Sequence, residues 1–260
     1  VAISRIVLII EYNGKYYHGS QLQSGTPTVQ AEIEKAIEKL TGKRSRVRLA
    51  SRTDAGVHAY GQVVSFQTDS RLNTSTFVSG MNYYLPLDIA VKASYSVAES
   101  FDVRRDAVSR QYNYQILNSI TRSPLWEEYA YRVAGELNIA AISEACRKII
   151  GRHDFASFAS RVGLENKSTV RHVYRAEFTK RGKTLVLTMT ANSFLPHQVR
   201  NTVGLLLEVG LGRVNISEFC DIMEAKKPGL AGPAAPAHGL YLVRIDYPFS
   251  FNEGIYDENV

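Results

Sequence analysis

The sequence predicts an α+β fold in two halves, each a mainly antiparallel sheet with its helices gathered on one face. Three observations carry this. Segments of two-residue alternation or short β-branched runs are separated by segments of helical period. The order strand–helix–strand–strand–helix–strand occurs twice along 260 residues. Hydrophobic residues make up 45% and charged residues 22%, the composition of a globular chain that buries about 70% of its surface. A disordered tail, a collagen-like chain and a coiled coil are excluded. No run approaches the roughly 18 apolar residues of a membrane span.

The first strand is Arg5 to Glu11, RIVLIIE, apolar and β-branched as a central strand is. A loop rich in Gly and Tyr follows, NGKYYHGSQLQSG. Then PTVQAEIEKAIEKLTG sets Val29, Ile33, Ile37 and Leu40 at helical spacing. Thr26 is the expected cap, Pro27 suits the first turn and Gly42 ends the helix. Arg46 to Ala50 and Gln62 to Gln67 alternate as strands, with the loop SRTDAGVHAYG between them. A helix over about Thr74 to Asn82 stops before Pro86, and Ile89 to Tyr95 is the next strand.

The second half repeats the order. Gln111 to Leu117 alternates as a strand. Asn138 caps a helix with Ile142, Ala145, Cys146 and Ile149 on its apolar face, ending at Gly151. Val170 to Thr179 and Thr184 to Thr190 are strands joined by the turn Lys180-Arg181-Gly182-Lys183. A helix from about Pro196 to Val209 buries Val199, Val203, Leu206 and Leu207. Ser217 is expected to cap a further helix, and GLYLVRIDYP closes the chain as a strand after a Pro/Gly/Ala loop. Each half reads as ferredoxin-like, residues 1–104 and 105–260, with a cleft between them as the expected site.

The net charge is +6, from 31 Lys and Arg against 25 Asp and Glu, which favours an anionic partner. The surplus clusters at Lys43, Arg44, Arg46, Arg48 and Arg52, at Arg104, Arg105 and Arg110, and from Arg171 to Lys183. There are 15 tyrosines. Cations that meet phosphates and rings that stack on bases point together to nucleic acid. The plainer reading is solvated charge and core tyrosine. The RNA-binding expectation falls on Lys43, Arg44, Arg46 and Arg48.

Several chemistries lack their residues. There is no Gly-rich dinucleotide or phosphate-loop motif and no Gly-x-Ser-x-Gly elbow. The six histidines are scattered, and the two cysteines, Cys146 and Cys220, lie alone on predicted helices. The expectation is no metal, no cofactor and a reduced, cytoplasmic protein without a signal peptide. Catalysis then rests on side chains. The loop Ser51 to Ala59 is the place to look: Arg52 and Asp54 are two apart, and Gly56 permits a tight turn. A turn aspartate more often caps backbone amides, so the whole motif carries the weight.

RTDAGVHA followed by GQV resembles the signature loop of the tRNA pseudouridine synthase A family. EYNGKYYHGSQLQ, FDVRRDAVSRQYNY, SFLPHQVRNTVGLLLEVG and HGLYLVRIDY resemble its other segments in the same order. The resemblance implies the pseudouridine synthase fold and the isomerisation of uridine to pseudouridine at positions 38 to 40 of the tRNA anticodon stem-loop. It implies no cofactor, tRNA as partner and a homodimer. It assigns Asp54 as catalyst, Tyr112 as active-site tyrosine and Arg200 as the cation that pairs with the aspartate. Arg52 and His58 are implied to contact or orient RNA. The chain departs from the family pattern at Ser20, where tryptophan is usual, and at Pro196 and Gln198. Tyr114 shares a strand face with Tyr112, so the residues alone leave the two exchangeable. Attack at C6 of the base and at C1′ of the sugar both stay open. The rival class is a non-catalytic tRNA-binding or chaperone module.

Overall fold

The apolar run near the N-terminus forms strand β1, Ser4–Tyr12, in which Val7, Leu8 and Ile10 are fully buried. It is the central strand of the first unit in the computed structural model, which describes residues 3–160 and 168–251. Helix α1 is Val29–Thr41, followed by the short strand β2, Arg48–Leu49, and the long strand β3, His58–Thr68. Helix α2, Thr74–Tyr84, leads to β4, Ile89–Val97. Strand β1 lies antiparallel between β3 and β4, with Leu8 opposite Val64 on one side and Ser94 on the other. Strand β2 adds to β3 through Arg48 and Ser65. The helices close one face: Val29, Ile33 and Ile37 of α1 are buried, and Phe77 of α2 meets Phe66 edge-on at 5.7 Å.

The second unit begins at β5, Ser109–Asn118, which pairs in parallel with the short β6, Tyr131–Val133. Helix α3, Ile139–Lys148, and strand β7, Gly151–Asp154, follow. The hairpin of β8, Val170–Arg181, and β9, Thr184–Ala191, completes an antiparallel run in the order β5-β9-β8-β7. Helices α4, Gln198–Gly210, and α5, Ile216–Glu224, complete the helical layer, and Phe155, Phe158 and Phe219 form an aromatic centre beneath them. Strand β10, Leu240–Asp246, ends the described order. The mixed α+β class with mainly antiparallel pairing is thus present in each unit.

The compact units are residues up to Val108 together with the segment from Leu242, and Ser109–Tyr241. From Leu242 the closing strand therefore groups with the first unit, whereas the sequence alone places it with the rest of 105–260. Two caps also differ from expectation. Thr28, not Thr26, caps α1: its hydroxyl accepts from Ala31 N–H at 3.3 Å. Pro27 stays outside the helix because its carbonyl accepts from His18 N–H at 2.9 Å. Asn215, not Ser217, caps α5, exchanging hydrogen bonds with Glu218 at 2.8 and 2.9 Å. Helix α4 starts at Gln198 rather than Pro196, since Gln198 turns its side chain back to accept from Leu195 N–H at 2.8 Å. The alternating stretch at 46–50 forms ladder pairs only at Arg48 and Leu49.

Candidate active site

Asp54 lies half-buried in the turn between β2 and β3. Its carbonyl accepts from Val57 N–H at 3.2 Å, and Gly56 supplies the positive φ of 78° that the turn requires. The loop is held from both sides. Thr53 N–H donates to Ser20 Oγ at 2.9 Å, and Ser20 N–H donates to the Thr53 carbonyl at 3.0 Å. The Tyr12 hydroxyl meets Thr53 Oγ1 at 2.8 Å. At the loop's start, Gln62 receives Ser51 N–H at 3.2 Å and donates to the Ser51 carbonyl at 2.6 Å. Ser20 and Gln62 are both fully buried, so these bonds are shielded from water and their loss leaves polar groups stranded. Burial also pushes the Tyr12 hydroxyl up to about 12, so it stays protonated.

Ser20 is the surprise in this network. The sequence marks it only as a departure from a family pattern, yet it fixes the residue next to Asp54. His58 is buried, at 3% exposure, and its Nδ1 accepts from Gly14 N–H at 3.2 Å. This bond ties the start of β3 to the loop after β1, a task internal to the protein.

The basic cluster divides in two. Lys43 pairs with Asp69, Arg44 with Glu38 at 2.9 Å, Arg46 with Glu34 at 3.1 Å and Arg48 with Asp102 at 2.8 Å. All four cations are exposed and their pairs are screened by solvent, so a phosphate can displace the carboxylates. Arg52 is exposed and makes no hydrogen bond or ion pair among the described residues. It lines a cavity of about 340 Å³ with Arg46, Arg48 and Arg104. Arg110 is not surface charge at all: it is 8% exposed and donates to the Asn192 carbonyl at 2.8 Å.

The second unit separates the two tyrosines of β5. Tyr114 is fully buried, its hydroxyl donates to the Pro236 carbonyl at 2.7 Å, and burial pushes its pKa well up. Tyr112 is 6% exposed and packs edge-on against Phe194 at 5.3 Å. Arg200, on the first turn of α4, is half-buried rather than splayed on the surface. Its Nε donates to the Ala235 carbonyl at 2.7 Å, and Ala235 N–H donates back to the Arg200 carbonyl at 3.0 Å. His238, nearby in the same unit, has its pKa lowered by burial first, with the Arg200 charge a smaller contribution. Arg52 and Asp54 thus share one loop of the first unit, with His58 at the start of the strand that follows it, and Tyr112 and Arg200 belong to the second. Among the described residues no three His, Cys, Asp or Glu side chains cluster as metal ligands would. No helix among them is long and apolar enough to cross a membrane.

Comparison with known proteins adds the family. The tRNA pseudouridine synthase family model matches residues 8–106 and 145–248. The tRNA pseudouridine synthase A of Francisella tularensis subsp. novicida (strain U112) is 41% identical over 250 residues, covering 96% of this chain and 96% of that protein. The enzyme of the same name from Roseiflexus sp. (strain RS-1) is 44% identical over 247 residues, covering 94% of this chain and 90% of that protein. Likeness to solved structures is more distant. The archaeal box H/ACA sRNP Nop10-Cbf5 complex aligns at 11% identity and a TM-score of 0.36, over 78% of this chain and 44% of that chain. With the family model spanning most of both units and these relatives matching nearly end to end, the chain belongs to the tRNA pseudouridine synthase family.

Proposed function

We propose that this chain isomerises uridine to pseudouridine in tRNA, at positions 38 to 40 of the anticodon stem-loop. The reading is carried by relatives named tRNA pseudouridine synthase A at 41% and 44% identity across nearly the whole chain. In the reaction the N1–C1′ bond breaks, the uracil rotates, and a C5–C1′ bond forms. The C5 proton leaves and N1 takes one up, so atoms balance without an oxidant or reductant.

Asp54 is the carboxylate that attacks C6 or C1′. Its support is a rigid loop: Thr53 is gripped by Ser20 and Tyr12, which holds the neighbouring carboxylate in one place and lowers the entropic cost of attack. Arg200 is the cation that keeps Asp54 ionised once the bound base excludes water. Its tether to Ala235 fixes the guanidinium before substrate arrives. Tyr112 stacks on the flipped uracil, since the other tyrosine of the strand has its hydroxyl committed to Pro236. Arg52 guides the RNA backbone to the loop. The working unit is a homodimer in the cytoplasm, with one tRNA spanning both subunits.

The test is pseudouridine mapping of a tRNA transcript incubated with the protein. Conversion at positions 38 to 40, abolished by Asp54→Asn, supports the reading. Binding of tRNA with no conversion by the unaltered chain overturns it.

A further inference from the structure

A cavity of about 270 Å³ lies in the first unit beside β1, β2 and β3, lined by Arg5, Arg46, Arg48 and Arg105, with Ser65 beneath and Asp102 as its one carboxylate. Strand register explains the gathering. Arg48 sits opposite Ser65 across β2 and β3, and Arg5 sits opposite Gln67, the next residue on that face of β3. Phe66, between them, turns the other way to meet Phe77 of α2.

Two polar atoms here are buried without a hydrogen-bond partner: Arg5 Nε and Ser65 Oγ. Ser65 is 1% exposed. Buried polar groups are nearly always paired, and an orphaned one costs about 1–3 kcal/mol. The Arg5 side chain makes no hydrogen bond or ion pair among the described residues. Asp102 is already engaged: it accepts from the backbone N–H groups of Arg104 and Arg105 at 3.0 Å each, and from Arg48 at 2.8 Å. What the cavity lacks is an acceptor for two buried donors in a place of surplus positive charge. That is an oxyanion of tetrahedral reach.

We infer that this cavity seats a phosphate, and that the phosphate is a backbone phosphodiester of the tRNA. The identification of the polymer rests on the proposed function. A polymer is favoured over a free anion because the cavity lined by Arg52 and Arg104 shares Arg46, Arg48 and Asp102 with this one. The two make a row of cationic seats leading from the Asp54 loop, and a row suits a polyanion.

The experiment measures tRNA affinity of the full chain against salt concentration, with melting temperature recorded for each variant. Arg5→Gln should lower the magnitude of the log–log salt slope by about 1 and weaken binding roughly five- to tenfold. Arg5→Lys keeps the charge and should keep the slope, so it reads the seat even where the glutamine folds poorly. Ser65→Ala should weaken binding about two- to fivefold with the slope intact, as befits a neutral donor. Unchanged affinity in Ser65→Ala together with an unchanged slope in Arg5→Gln overturns the seat. Inorganic phosphate is the second arm, followed by chemical-shift titration. Phosphate that binds the unaltered chain and not Arg5→Gln, with the tRNA slope unmoved, overturns the polymer and leaves a small-anion site. Pseudouridine formation by the unaltered chain is scored separately, so failure of the substrate reading is distinguishable from failure of the seat.

Discussion

Ser20 and Thr53 exchange two backbone-anchored hydrogen bonds across 33 residues, and that exchange fixes the residue beside Asp54. Removing the hydroxyl leaves the Thr53 N–H buried and unpaired. Ser20→Ala should therefore cost about 1–3 kcal/mol of stability and lower kcat more than it raises KM. Calorimetry and steady-state kinetics on the same preparation check both. The two tyrosines of β5 give a second contrast. Tyr114→Phe strands the Pro236 carbonyl and should cost about 1 kcal/mol of stability, read by denaturant midpoint. Tyr112→Phe should lower turnover with a smaller loss of stability. The loop that carries Asp54 stands out in the sequence because its whole octapeptide is a motif, and the proposed role of Asp54 rests on that motif. Ser20 does not stand out, because a serine in Gly-Ser-Gln has no periodicity. Its burial comes from a partner that only the folded loop brings near.

At the scale of elements, α4 and the loop before β10 make one assembly. A Cβ at Gly204 would lie 2.5 Å from the Pro233 carbonyl oxygen, so only glycine lets the helix approach that loop. Gly204→Ala must push the backbone away and loosen the Arg200–Ala235 pair of bonds. The expected cost is about 1–3 kcal/mol, with a fall in turnover that activity assays below the melting transition detect. Asn215→Ala removes the cap of α5 and should cost about 1 kcal/mol, while turnover stays at the unaltered level when assayed on folded protein. The helices themselves were legible, since their apolar spacing is long and regular. Their starts were not. Thr26 and Thr28, or Asn215 and Ser217, are equally good caps by residue type, and the choice is made by which oxygen meets an amide. Strands β6 and β7 escaped because three or four residues hold too little alternation to read, and their pairing is set by distant strands.

Across the whole molecule, buried phenols and the buried Cys146 thiol, whose pKa burial pushes up to about 12, lower stability at alkaline pH. Tyr12 is pushed up to about 12, and burial also raises Tyr17 and Tyr114, with Asp88 adding to the rise at Tyr17. Below pH 10 the folded and unfolded chains both hold the Tyr12 proton, and it adds no pH dependence. Between pH 10 and about 12 the unfolded chain ionises first, so it binds fewer protons and stability falls as pH rises. Tyr12 alone makes that slope about 1.4 kcal/mol per pH unit. Urea midpoints from pH 9 to 12 should decline steeply, and the decline should be shallower in Tyr12→Phe. The repeated element order leads to the expectation of two halves at 1–104 and 105–260, while the chain clusters as two units divided differently. The return of the chain from Leu242 to the first unit was not legible, because nothing local to GLYLVRIDYP says which sheet it joins. That return has a consequence for synthesis. The ribosome delivers all of Ser109–Tyr241 between the first unit's body and its final strand. At roughly 5–20 residues per second, the delay is on the order of 10 seconds. Until then the stretch of β3 around Gly61, which β10 approaches at Val243, stands as an open edge. Nascent chains on one message would meet edge to edge in that interval, and slow translation after Val108 should raise aggregation before it lowers the activity of chains that finish.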